Sequence, residues 1–401
     1  MKLLFHDEAF SFELLRAIGY SVYDGADIGE CLSTAARIHE GDFESWYREW
    51  TATAERVRRI ADTSLARGHR VSARKAYLRA SNYYRTAEFF LHTDPTDPRI
   101  LSTWENSRLC FREATLLFAF PCEAIDIPYE GTTLPGYLYR VDTSDTPRPT
   151  VIFHGGFDST VEELYFAGAT AAVEHGYNCL TFDGPGQGRV IRQQHLPFRP
   201  DWEAVVTPVV DYAVRRSEID SERLALMGMS QGGYFAPRAA AFEHRLRALI
   251  AYDGVFNCYD AVPLLMPPPV LSLLEHEQFE AFDAVLQLLM TMNSSLRWSV
   301  TNGMWTYGVS TPRAFLRKLE EYTLEQVIDG IRCPTLVLAA ENDHFFSGQP
   351  EKLYERLSCP KTWMRFTVEE GAEEHCHEGA MSLFHQRLFD WLDETLERKE
   401  H

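Results

Sequence analysis

Over the first 120 residues apolar side chains recur at three- and four-residue steps, as in Trp46, Trp50, Ala54 and Val57, or in Ala76, Ala80, Tyr83, Ala87 and Phe90. Such spacing gathers them on one face of a helix. Proline is absent from Met1 to Leu91, so nothing interrupts the pattern. The chain is expected to open with an amphipathic helical module, 1–120, that caps or covers whatever follows.

After Phe120-Pro121 the period changes. Two extended runs, Glu123 to Pro128 and Leu134 to Val141, flank Tyr129-Glu130-Gly131-Thr132-Thr133 and predict a hairpin. Strands are then expected at Thr150 to Phe153, Tyr177 to Phe182, Leu224 to Met227, Leu249 to Tyr252, Thr335 to Ala339 and Thr362 to Val368. Between and after them helices are expected at Thr160 to His175, where Thr160 and Glu163 are spaced as a capping box, and at Asp201 to Arg216, Gln231 to Glu243, Gln349 to Leu357 and Gly379 to about Leu396. Alternation of this kind predicts an α/β core, 121–401, with a mostly parallel sheet and helices on both faces. It breaks over 255–330, a stretch with a proline cluster, helical runs at Leu271 to Met292 and Pro312 to Gly330, and the aromatic Trp298 and Trp305. The simplest account is a helical insertion.

Charge narrows the partners. Of 401 residues, 39 are Lys or Arg and 58 are Asp or Glu, a formal charge of −19. That balance disfavours nucleic acid and anionic membranes and suits a small neutral or cationic substrate. The eight cysteines form no CxxC pair, which predicts reduced thiols and a cytoplasmic protein. The N-terminus meets charge too early for a secretory signal. Ala261 to Leu274, the longest apolar run, is short of the ~20 residues of a membrane span and contains four prolines.

Candidate chemistry centres on Gly228-Met229-Ser230-Gln231-Gly232, a G-x-S-x-G between a predicted strand and a predicted helix. In that context it predicts a nucleophile elbow, with Ser230 raised on a strained turn and the Gln231 amide beside it. A serine hydroxyl needs a base, and the base an orienting acid. Both follow in the order expected of such enzymes: Asp343 after Thr335 to Ala339, and His375 after Thr362 to Val368. Glu341 is the rival acid and His377 the rival base. A metal reading of His375-Cys376-His377 with Glu373 and Glu374 lacks a second ligand cluster, so neither metal nor cofactor is expected. His154-Gly155-Gly156-Phe157 follows a strand where a second oxyanion donor is needed, so the hole is assigned to the backbone of Gln231 and of Gly156 or Phe157. Asp183-Gly184-Pro185-Gly186-Gln187-Gly188 lacks the Gly-Lys-Ser/Thr ending of a phosphate loop and is expected to be a tight turn at the rim. Asp253 closes a strand, where it serves either as a helix cap or surface acid or as a substrate contact. Trp305 is a second tentative substrate contact.

With these pieces in hand the chain resembles the alpha/beta-hydrolase superfamily, and within it the branch of 2,6-dihydroxypseudooxynicotine hydrolase and the fungal hydrolases that shorten polyketide pigment precursors. The resemblance rests on Leu134 to Leu138, His154 to Asp158, Asp183 to Gly188, Gly228 to Tyr234 and Glu373 to Cys376. It implies a helical cap, a Ser-Asp-His triad, a homodimer, a place in secondary metabolism, and cleavage of an ester or of a C–C bond beside a ketone in an aromatic or polyketide-like molecule. The same residues would serve an acyltransferase or cyclase. An oligopeptidase, or a non-catalytic binding protein on this fold, are the further alternatives.

Overall fold

The computed structural model describes residues 3–396, and these form two compact units. One runs to Ala119 and takes in Gln278–Trp305; the other holds Phe120–Glu277 and the chain from Thr306 onward.

The helical unit begins with helices Glu8–Gly19, Ile28–Ala35, Phe43–Ala66, Arg70–Glu88 and Pro98–Thr115. Four of them start on an aspartate, Asp7, Asp27, Asp42 or Asp97, whose carboxylate accepts from the first free backbone amides, the cheapest way to satisfy a helix start. Their buried stripes meet in an aromatic core in which Phe43 stacks on Phe90 at 4.2 Å and Trp46 lies edge-on to Phe10 at 5.0 Å. The Gln278–Trp305 stretch is tied into this unit by Trp298, which stacks on Phe89 at 4.1 Å and donates its indole N–H to the Phe89 carbonyl at 2.8 Å.

The second unit is built on an eight-stranded sheet of order β1-β2-β4-β3-β5-β6-β7-β8. The strands are β1 Cys122–Tyr129, β2 Thr132–Tyr139, β3 Arg148–His154, β4 Asn178–Phe182, β5 Ile219–Met229, β6 Ala248–Tyr252, β7 Thr335–Ala340 and β8 Lys361–Phe366. The β1–β2 hairpin is antiparallel and β2 joins β4 antiparallel; every pairing from β4 through β8 is parallel. β4 and β6 are buried along their whole length, as strands covered on both faces must be. The carboxyl ends of β3, β5, β6 and β7 therefore point the same way, and the loops that leave them carry the candidate site.

Three local expectations are corrected. Thr160 and Glu163 make no capping box: the Glu163 amide goes to the Thr160 backbone carbonyl at 3.0 Å in a turn, and the helix becomes regular only at Thr170–Glu174 after a widened turn at Tyr165–Ala169. Gly168 sits in that turn against Phe153 and Met227 of the sheet, so packing sets the helix start. The Leu271–Met292 run is two helices, Pro268–Glu275 and Phe279–Met292, parted at Glu277, whose φ is +58°. The units divide at that break, so the 255–330 stretch does not behave as one inserted piece. Finally, Pro312–Gly330 is helical only over Pro312–Leu319, started by the Thr311 hydroxyl, with a short turn at Ile328–Gly330.

Candidate active site

The elbow is shaped by backbone crowding. β5 ends at Met229, Ser230 turns with φ +60°, and a helix runs from Gly232 to Ala240. A left-handed non-glycine residue is strained and persists only where its surroundings impose it. Here they do: a Cβ on Gly228 would lie 2.1 Å from the Gly232 carbonyl oxygen, so strand and helix cross with no room for a side chain.

The structure brings Ser230, His375 and Asp343 together. Ser230 Oγ is 2.8 Å from His375 Nε2, and His375 Nδ1 is 2.9 Å from Asp343 Oδ2. Asp343 leaves β7 on a turn whose Phe345 and Phe346 amides donate to its Oδ1 at 2.8 and 3.0 Å. Burial alone would raise this carboxyl, but the imidazole and the two amides hold it below the ordinary range. His375 follows β8 in a short turn in which Cys376 and His377 both take positive φ. The rivals lie elsewhere. Glu341 is exposed and accepts from the Val368 amide at 2.9 Å; His377 is fully buried, with its ring stacked on Phe366 at 3.9 Å and burial pushing it down to about 3.

One oxyanion assignment is corrected. The Gly156 amide donates to the Ser159 hydroxyl at 3.1 Å, closing a turn after β3, so it is committed within the loop. The turn presses on the elbow: a Cβ on Gly156 would lie 2.7 Å from the Gln231 nitrogen. Gln187 holds it there. Its Nε2 donates to the carbonyls of Gly155 at 2.7 Å and Gly156 at 3.1 Å, while its Oε1 accepts from the Gly184 amide at 2.9 Å. The Asp183–Gly188 loop is thus a brace for the β3 turn. Its glycine spacing was visible in the sequence, but the amide's two-sided grip appears only when the loops after β3 and β4 are folded side by side. The Gln231 side chain in turn donates to the Tyr307 hydroxyl at 2.5 Å.

Asp253 is also corrected. It is neither a surface acid nor a substrate contact, because it is 0% exposed. With φ +58° after β6, it directs Oδ2 to the Cys376 amide at 2.6 Å and to His375 Nδ1 at 3.2 Å. Together with His375 and Cys376 it forms the cluster whose ligand atoms lie within 4.8 Å of one another; a cation there would compete for the nitrogen that faces Asp343. Trp305 lies in the helical unit, edge-on to His92 at 5.0 Å.

The chain has known relatives. Residues 150–385 match the model of the Alpha/beta hydrolase family, and residues 27–259 match that of the FrsA-like esterases. The chain is 39% identical to the hydrolase acrC of Aspergillus aculeatus, covering 97% of each chain. It is 37% identical to the 20-hydroxy-prefusarin hydrolase of Gibberella moniliformis, covering 98% of each. The crystal structure of 2,6-dihydroxy-pseudo-oxynicotine hydrolase superposes with a TM-score of 0.76 over 94% of this chain and 95% of that one, at 22% identity, a likeness of fold. The chain is a hydrolase of the alpha/beta hydrolase family.

Proposed function

We propose that this hydrolase cleaves an ester, or a C–C bond beside a ketone, in a small aromatic or polyketide-like substrate, with Ser230, His375 and Asp343 as its catalytic triad. The observation that carries the reading is the relay from Ser230 Oγ to His375 Nε2 at 2.8 Å and from Nδ1 to Asp343 at 2.9 Å. Ser230 attacks the substrate carbonyl while His375 takes its proton, and Asp343 holds the resulting imidazolium. The backbone amides of Gln231 and Phe157 stabilise the tetrahedral oxyanion. Each such donor contributes on the order of 3 kcal/mol to the transition state. The oxyanion then collapses, the C–O or C–C bond breaks, and His375 returns the proton to the departing alcohol or enolate carbon. Water, activated by the same histidine, releases the acid from Ser230.

Aromatic side chains favour a flat substrate: the Phe345 ring lies 4.9 Å from that of His375, and Phe157 and Tyr307 stand 6.3 Å apart beside the elbow. The names of the fungal relatives, among them a 20-hydroxy-prefusarin hydrolase, point the same way. A cytoplasmic homodimer completes the proposal, and the reaction as written uses no cofactor. Turnover should be measured on a panel of aryl esters and aryl β-diketones for the native protein and for Ser230→Ala. Cleavage by the native protein and its loss in the variant are the expected result. Undiminished turnover by Ser230→Ala would overturn the mechanism.

A further inference from the structure

We propose that Asp253 is a second carboxylate of the histidine relay, a positioning residue that shares the Nδ1 proton of His375 with Asp343. This rests on the reading of His375 as the base. The Nδ1 atom faces two carboxylate oxygens, Asp343 Oδ2 at 2.9 Å and Asp253 Oδ2 at 3.2 Å, and they come from different strands, β7 and β6. The chain that leaves Asp253 is anchored to two neighbouring elements. The Gly254 amide donates to the Leu338 carbonyl of β7 at 3.3 Å, and the Val255 amide donates to the Gly233 carbonyl of the elbow helix at 3.1 Å. Oδ2 is further fixed by the Cys376 amide at 2.6 Å, the residue next to the base itself. The carboxylate therefore binds both the imidazole and the backbone turn that carries it.

A fully buried acid is costly unless a cation or donors compensate it. Among the described residues the ion-pair partners of Asp253 are histidines, His375 and, at 3.9 Å, His377. His377 and His344 are pushed down to about 3 and about 4, chiefly by burial, so they are neutral at working pH. The Cys376 thiol is held in its neutral form by burial. The carboxylates of Asp343 and Asp253 both pair with His375 Nδ1. Burial pushes Asp253 up to about 6, against the pull of the imidazole, so acid and base titrate as a coupled set and the acidic limb of activity belongs to that set.

Two consequences follow. An anion beside an imidazolium favours the protonated ring. Without the Asp253 charge, His375 gives up its proton at lower pH, and the active, neutral base appears sooner as pH rises. The acidic limb then moves down. Second, Asp343 has a stand-in, so its loss is partly covered.

The test follows the rate at which a fluorophosphonate labels the full-length protein, as a function of pH, with the adduct mapped to its residue. Asp253→Asn keeps an acceptor for the Cys376 amide and removes only the charge. Its acidic limb should lie about one pH unit below that of the native protein. Asp343→Asn alone should slow labelling by less than about 10²-fold, and the double variant by about 10⁴-fold, the cost seen where a lone orienting aspartate is lost. An unshifted limb in Asp253→Asn, or a single Asp343→Asn as slow as the double variant, overturns the proposal and leaves the Ser230 mechanism standing. A native protein that is not labelled at Ser230 defeats that underlying reading instead. Should Asp253→Asn fail to fold, the size of the Asp343→Asn effect decides alone: a loss under 10²-fold supports the shared proton and one near 10⁴-fold overturns it.

Discussion

At the scale of single residues, two buried polar side chains support the proposed triad, Gln187 and Asp253, each less than 2% exposed. Gln187 acts through geometry. Its amide links the β4 loop to the β3 turn, which in the proposed mechanism presents the Phe157 amide, so removing it should blur the proposed hole without touching the bound part of the substrate. Gln187→Leu should lower kcat on the order of 10²-fold and leave KM nearly unchanged. Gln187→Glu, which faces two carbonyls with an acceptor, should fall further. Steady-state kinetics on an aryl ester checks both, and a rise in KM with kcat intact would assign Gln187 to substrate binding. Ser230, Asp343 and His375 were legible in the sequence because their order along the chain and their position after strands reflect how the fold delivers them. Asp253 was not, because a carboxylate ending a strand reads alike whether it meets solvent or a histidine. In the fold Asp253 takes a positive φ and its carboxylate meets the Cys376 amide and His375.

Among the elements, the elbow is the most constrained. Backbone meets backbone there, so neither partner can yield as a flexible side chain would. Gly228→Val should cost about 1–3 kcal/mol of stability, seen as a lower thermal midpoint, and should also abolish fluorophosphonate labelling by displacing Ser230. A variant with native stability and native labelling would show that the crossing is looser than described. The strand and helix sequence of the α/β unit was readable from hydrophobic period and turn residues. Boundaries failed where tertiary packing overrides local pattern. Gly168, pressed against Phe153 and Met227, delays the helix that Thr160 and Glu163 seemed to start. Glu277 divides a run that is apolar enough to read as one helix. The Asp183–Gly188 loop was recognised as a turn, yet its bracing function depends on a neighbour 31 and 32 residues earlier in the chain.

Across the whole molecule, the formal charge of −19 and the eight cysteines are the features that bear on its environment. All eight are unpaired, five of them buried, and burial pushes Cys31 and Cys110 up to about 12. Thiol titration without reductant should therefore count eight thiols in denaturant and three or fewer, reacting slowly, in the native state. A count of six in denaturant would reveal a disulfide and argue against a reducing compartment. The helical character of the first 120 residues was plain from period alone. That Gln278–Trp305 belongs with them was not, since Trp298 and Phe89 are joined by a contact between residues far apart in the chain. The proposed mechanism gives the molecule one nucleophile, and that can be tested directly by mixing it with an activated aryl ester, quenching in acid within the first turnover, and locating the acyl group by peptide mass spectrometry. The predicted result is one acyl group per chain, on Ser230, absent from Ser230→Ala. An acyl group on any other residue, or product release with no acylated Ser230 at any quench time, would contradict it.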